Sequence, residues 1–158
     1  MKPLQPDTLI RNPSGTPIVA SIVVDCAAAQ LWNMVGQFER FDRFIPALMR
    51  IEMTGSGIGA IRTKFFHDGN CVVEQLNSRD EHAMRMTWTT IYNTLGVARL
   101  WAAINVDAAG EHCSKVTWTI IAEPADKEQA GFEQFVQSFA DDALHNVRRL
   151  APAQPIKF

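Results

Sequence analysis

The chain has 158 residues, 47% of them apolar and 20% charged. This suits one folded domain with a core of its own and excludes a disordered segment. A formal net charge of -2 excludes the basic footprint of a nucleic-acid binder, and no apolar run approaches the length of a membrane span.

Residues 1–16 carry Pro3, Pro6, Pro13 and Gly15 without periodicity and read as a tail; they also lack the apolar stretch of a secretory signal. Pro17 to Asp25 is continuous and β-branched, a first strand. Asp25 is placed to cap a helix in which Leu31, Trp32, Val35 and Phe38 fall at helical spacing and which Gly36 ends. A second short helical piece is expected over Phe41 to Met49, with Pro46 limiting it to a turn or two.

Period-two segments follow. Arg50 to Thr54 leads into the cluster Gly55, Gly57 and Gly59; Ala60 to His67 runs to a turn at Asp68-Gly69 and returns through Cys71 to Ser78. An Arg79-Asp80-Glu81 turn precedes Met84 to Ile91, where Met84, Met86 and Trp88 share a face. Val97 to Asp107 puts Leu100, Ala102, Ile104 and Val106 on one face and Arg99, Trp101, Ala103 and Asn105 on the other. The last strand, Cys113 to Glu123, stops at Pro124. Turns every 8–12 residues favour an antiparallel meander over βαβ units. A long amphipathic helix then runs from about Asp126 to Leu150, with Phe132, Phe135, Val136, Phe139, Ala143, Val147 and Leu150 in one stripe. Its acids Asp126 and Glu128 and its bases Arg148 and Arg149 suit the two ends of the helix dipole. Residues 152–158 are a C-terminal tail, leaving 17–151 as the domain.

These elements, in this order, resemble the helix-grip superfamily of START lipid-transfer and birch-pollen-allergen-like proteins. Within it the chain is similar to the bacterial polyketide cyclase/dehydrase and lipid-transport (SRPBCC) family. The likeness rests on VVDCAAAQLWNMVGQFERFDRFIPAL, on the glycine turn GSGIGAIRT with Arg62, on the hairpin DGNCVVEQL with Glu74, and on the last strand KVTWTIIAEP. Gly96 departs from it, standing where relatives often have proline. The resemblance implies an α+β helix-grip fold: a seven-stranded curved antiparallel sheet around a long C-terminal helix, with two short helices after the first strand. For function it implies an internal cavity for a small hydrophobic or amphipathic ligand. Alternatives are a polyketide cyclase or dehydratase using a cavity carboxylate, and a protein-interaction module with a filled core, for which the outward Trp101 is the residue to test.

Several motifs carry no chemistry. Gly55-Ser-Gly57-Ile-Gly59-Ala60 spells a dinucleotide fingerprint, but a strand follows it where phosphate binding needs a helix N-terminus. His67, His82, His112 and His145 lack metal-ligand spacing, and His112 and Cys113, adjacent in a strand, point to opposite faces. No metal or cofactor is expected. Cys26, Cys71 and Cys113, an odd count without CxxC spacing, read as buried thiols in the cytoplasm.

The candidate chemistry centres on Glu74, which shares a face with Val72 and Leu76; a carboxylate among apolar neighbours needs a partner, and desolvation raises its pKa. A two-residue Asp68-Gly69 loop sets Thr63 opposite it, and a three-residue loop with a left-handed Gly69 sets Arg62 there. The family likeness favours the second register, which also turns Lys64 and Phe66 inward. Glu74 is the candidate acid/base, and Arg62, Phe66, Glu74, Met84, Met86, Trp88, Leu100, Phe135 and Phe139 are the candidate ligand contacts. On the last strand, hydrophobicity points Val116, Trp118 and Ile120 inward, whereas the likeness points Thr117 and Thr119 inward. Open sheet edges leave pairing between copies possible without specifying it.

Overall fold

The computed structural model describes residues 13–151. Seven strands form one antiparallel sheet in the order β1-β7-β6-β5-β4-β3-β2. They are β1 (Ile18–Val24), β2 (Leu48–Thr54), β3 (Ile61–Phe66), β4 (Cys71–Asp80), β5 (Arg85–Asn93), β6 (Val97–Gly110) and β7 (Cys113–Pro124). The short helix α1 (Ala28–Val35) and a 3-10 turn (Phe38–Arg43) connect β1 to β2, and α2 (Phe132–Leu150) ends the fold. The sheet curves around α2, giving the expected α+β helix-grip architecture. The expected tails fall outside the described residues except at 13–16 and at one point are tied down: Ser14 donates from its backbone N–H and its hydroxyl to Glu123.

Period-two patterning explains the strands. In β1, Ala20, Ile22 and Val24 are buried while Val19, Ser21 and Val23 are exposed, and β1 pairs with β7 from Ile18↔Ile120 to Val24↔Ser114. On β7 hydrophobicity decides the open choice: Val116, Trp118 and Ile120 are buried inward. Three-ring contacts follow, because Trp118 lies 6.0 Å from the Trp88 ring and 5.9 Å from Phe41.

Several boundaries differ from expectation. The N-terminal cap of α1 is Ala27, without a side-chain bond, and Asp25 lies too early; Cys26 instead turns back on Val24, and Ser114 Oγ donates to the Cys26 carbonyl. The segment expected to be helical over Phe41–Met49 ends its 3-10 turn at Arg43, and β2 starts at Leu48, two residues past Pro46, which cannot continue a helix. Strand β4 runs through Arg79 and Asp80 as an extended pair with β5, so the turn comes later, at Glu81–Met84. The final helix begins at Phe132, not near Asp126, because Gly131 adopts a left-handed φ of 79°. Asp126 and Glu128 belong to the preceding turn, where Asp126 accepts the Glu128 backbone N–H; Glu133 is the acid in the helix's first turn.

Candidate functional site

Strand β3 carries the polar centre. Gly69, with φ 91°, closes the β3–β4 hairpin and sets Arg62 opposite Glu74. Arg62, Lys64 and Glu74 all point inward and are 0%, 4% and 3% exposed. Glu74 Oε1 accepts from Arg62 Nε at 2.8 Å and lies 2.9 Å from Lys64 Nζ, while Oε2 accepts from the Thr90 hydroxyl at 3.3 Å. One carboxylate thus serves two buried cations.

The two cations have different surroundings. Arg62 is enclosed: Nη1 donates to the Phe38 carbonyl at 2.7 Å, and the guanidinium stacks 3.8 Å from the Phe38 ring centre and 4.1 Å from Phe41. Lys64, two residues on and therefore on the same face, lines an internal cavity of about 220 Å³.

Three groups of side chains build the cavity wall. Lys64, Phe66, Val72 and Glu74 come from the β3–β4 hairpin; Trp88, Thr90, Leu100, Ala102, Trp118 and Ile120 come from the sheet's inner face. From α2, Phe135, Val136 and Phe139 close the other side. Leu95 and Val97 add wall at the β5–β6 loop, which Asn93 pins by accepting from the backbone N–H groups of both and donating to the Val97 carbonyl. Gly96 in this loop has φ 79°, a conformation closed to proline.

Burial by itself pushes the Glu74 carboxyl up, as expected from sequence. The Lys64 and Arg62 charges outweigh that and hold it down at about 2. Glu74 is therefore an anion at neutral pH and a poor proton carrier; its geometry suits fixing Lys64 and Arg62. Burial lowers the pKa of Lys64, and Glu74 offsets part of that.

Of the candidate contacts, Phe66, Glu74, Trp88, Leu100, Phe135 and Phe139 line the cavity. Phe135 does so while half exposed, at 51%. Arg62, Met84 and Met86 do not. Arg62 is shut behind its aromatic stack. Met84 sits in the β4–β5 turn with a φ of 53° and packs, half-buried, against the core. Met86 is fully buried one register step further along, paired with Ile104 and 3.6 Å from Arg79 Nη1. Lys64, Thr90, Asn93, Leu95, Val97 and Trp118 were not among the candidates; for Lys64 and Trp118 the alternation of their strands was the available signal. Trp101 is partly buried, outside the exposed large apolar side chains. Among the described residues no group of His, Cys, Asp or Glu is arranged to hold a metal ion, and no helix is long and apolar enough to cross a membrane.

Residues 16–152 match the model of the family described as polyketide cyclase/dehydrase and lipid transport. No curated protein matches the sequence. Among solved structures, the protein XoxI from Bacillus cereus superposes with a TM-score of 0.79 at 17% identity, over 87% of this chain and 96% of that one. The Zhui aromatase/cyclase from Streptomyces sp. R1128 gives 0.73 at 11% identity, over 86% and 93%. Norcoclaurine synthase from Thalictrum flavum, solved with dopamine and hydroxybenzaldehyde, gives 0.69 at 17% identity, over 85% of each chain. At such identities the likeness is one of fold.

Proposed function

Because this chain belongs to the polyketide cyclase/dehydrase and lipid-transport family, we propose that it binds a small amphipathic molecule in the cavity between its sheet and α2. The observation that carries the reading is the cavity itself. It is walled by Phe66, Trp88, Leu100, Trp118 and Phe139 and has one buried ionic group, Lys64–Glu74, on its surface. Apolar walls with a few fixed polar groups are the usual make-up of a small-molecule site. A cytoplasmic setting stays part of this reading, on the odd cysteine count.

Native mass spectrometry of freshly purified protein, followed by extraction, tests it. A retained small molecule, or a dose-dependent change in Trp88 and Trp118 fluorescence with apolar compounds, is the expected result. Protein that is empty and whose fluorescence and melting temperature no apolar compound shifts would overturn the reading.

A cyclase or dehydratase reading has one specific observation in its favour. Lys64 is the cavity-lining cation, and burial disfavours its charged form, whereas Glu74 is held at about 2. On that reading Glu74 orients the amine. Loss of turnover in Lys64→Met with binding of an uncharged apolar compound retained is its expected signature.

A further inference from the structure

The hydrogen-bonding capacity of the cavity wall is spent unevenly. Its carboxylate and side-chain amide acceptors are taken. Glu74 receives Arg62, Lys64 and Thr90. Asn93 serves the backbone of its own loop. Asp68, exposed at the hairpin, accepts both the backbone and side-chain N–H groups of Asn70. What is left over is donors. An ammonium has three N–H groups, and the partner of Lys64 among the described residues is Glu74 alone. Trp118 Nε1 is buried without an acceptor among the described residues.

Charge is uneven in the same sense. Arg62, Lys64 and Glu74 are two cations and one anion, each less than 5% exposed. Arg62 cannot reach the cavity, so the uncompensated charge is presented to it through Lys64. Asp68 lines the cavity too, yet it stands in solvent, where its field is screened. A buried cation without its own counter-ion is costly, and a ligand that supplies one is held by a charge-assisted hydrogen bond.

We propose that the ligand is a carboxylic acid, bound as its anion with the carboxylate against Lys64 and its apolar body toward Leu100, Phe135 and Phe139. This rests on the cavity being a ligand site at all. A carboxylate offers acceptors only, which matches a wall whose spare groups are donors, and it brings the buried charge to balance.

The test uses three probes of one length: octanoate, 1-octanol and octylammonium, titrated by tryptophan fluorescence and calorimetry. Octanoate is expected to bind at least about tenfold more tightly than octanol, although octanol is the more apolar, and octylammonium most weakly. In Lys64→Met and Lys64→Gln the preference for the acid is expected to vanish while octanol binding stays within about twofold. Equal binding of acid and alcohol by the unaltered protein would overturn the carboxylate proposal and leave the cavity reading standing. A preference that survives both variants would also overturn it, since the charge would then lie elsewhere. Failure of all three probes to bind would instead count against the cavity reading itself.

Discussion

The two ends of the interior are covered by different parts of the chain, and they differ in how well they are filled. Where the 3-10 turn lies against the sheet, Phe38, Phe41 and Phe44 are buried; Phe41 meets Phe44, and both Phe38 and Phe41 meet Trp88 and Arg62. Where Phe135, Val136 and Phe139 of α2 border the sheet's inner face, Phe139 is partly buried, Phe135 is half exposed and a cavity remains. Strand β3 crosses from one region to the other within three residues, so Arg62 packs and Lys64 faces the hollow. The contrast teaches that the connection after β1 fills one end of the interior, whereas α2 does both jobs: Ala140, Ala143, Leu144 and Val147 are buried in the core, and Phe135 and Phe139 wall the site.

The largest effect separating the regions is expected at the group that joins them. Glu74→Gln keeps the shape of the side chain and removes the charge that two buried cations share. Urea denaturation is expected to show a loss of about 3–5 kcal/mol. A loss below about 1 kcal/mol would mean that the cations are relaxed or neutral without it.

The same carboxylate sets an acid limit. Its folded pKa of about 2 lies below the ordinary 4.5, so the native state binds fewer protons than the unfolded chain between those values. The stabilisation is present in full above the ordinary value and is lost as pH falls through about 2. It amounts to about 3 kcal/mol. Denaturation midpoints followed from pH 6 downward are expected to fall more steeply for the unaltered protein than for Glu74→Gln, and parallel curves would contradict this.

Truncating one ring from each region sharpens the comparison directly. Phe41 is fully enclosed and meets Phe44, Trp88 and Trp118 at ring-centre distances of 4.9, 5.5 and 5.9 Å. Phe41→Ala is expected to cost about 3 kcal/mol or more, because it opens a void in packed core. Phe139 borders space already empty, and Phe139→Ala is expected to cost about 1 kcal/mol while weakening ligand binding. Similar losses at the two sites would show that the cavity end is packed as tightly as the other.

The division into solid and hollow ends was not legible in the sequence, although the sheet was. Alternation and turn residues mark β3 to β7, and Gly69 fixes the register that brings Arg62 to Glu74. Alternation says which face a residue takes and nothing of its depth along the strand, so Arg62, Lys64 and Met86 read alike as inward residues. What separates them is the placement of Phe38 and Phe41, a tertiary fact. Met84 continues the pattern of Met86 and Trp88 by letter, and no turn residue announces its left-handed backbone. The net direction of the Glu74 shift needs more than burial for a related reason: burial is readable from flanking Val72 and Leu76, whereas two cations converging on one oxygen requires the register and the fold together.

The smallest expected effect is the most informative. Removing Lys64 leaves Arg62 and Glu74 as a neutral pair, with Arg62 still bound to Glu74 Oε1 and to the Phe38 carbonyl. Burial penalises the charged form of Lys64, while its charge is the larger of the two that hold Glu74 down, so its cost and its gain oppose each other. Lys64→Met is expected to change stability by less than about 1 kcal/mol. A residue whose removal leaves the empty protein as stable, and yet abolishes the preference for a carboxylate, is retained for what enters the cavity. A loss as large as that of Glu74→Gln would instead make Lys64 part of the solid end of the molecule, and the comparison between the two ends would fail at that residue.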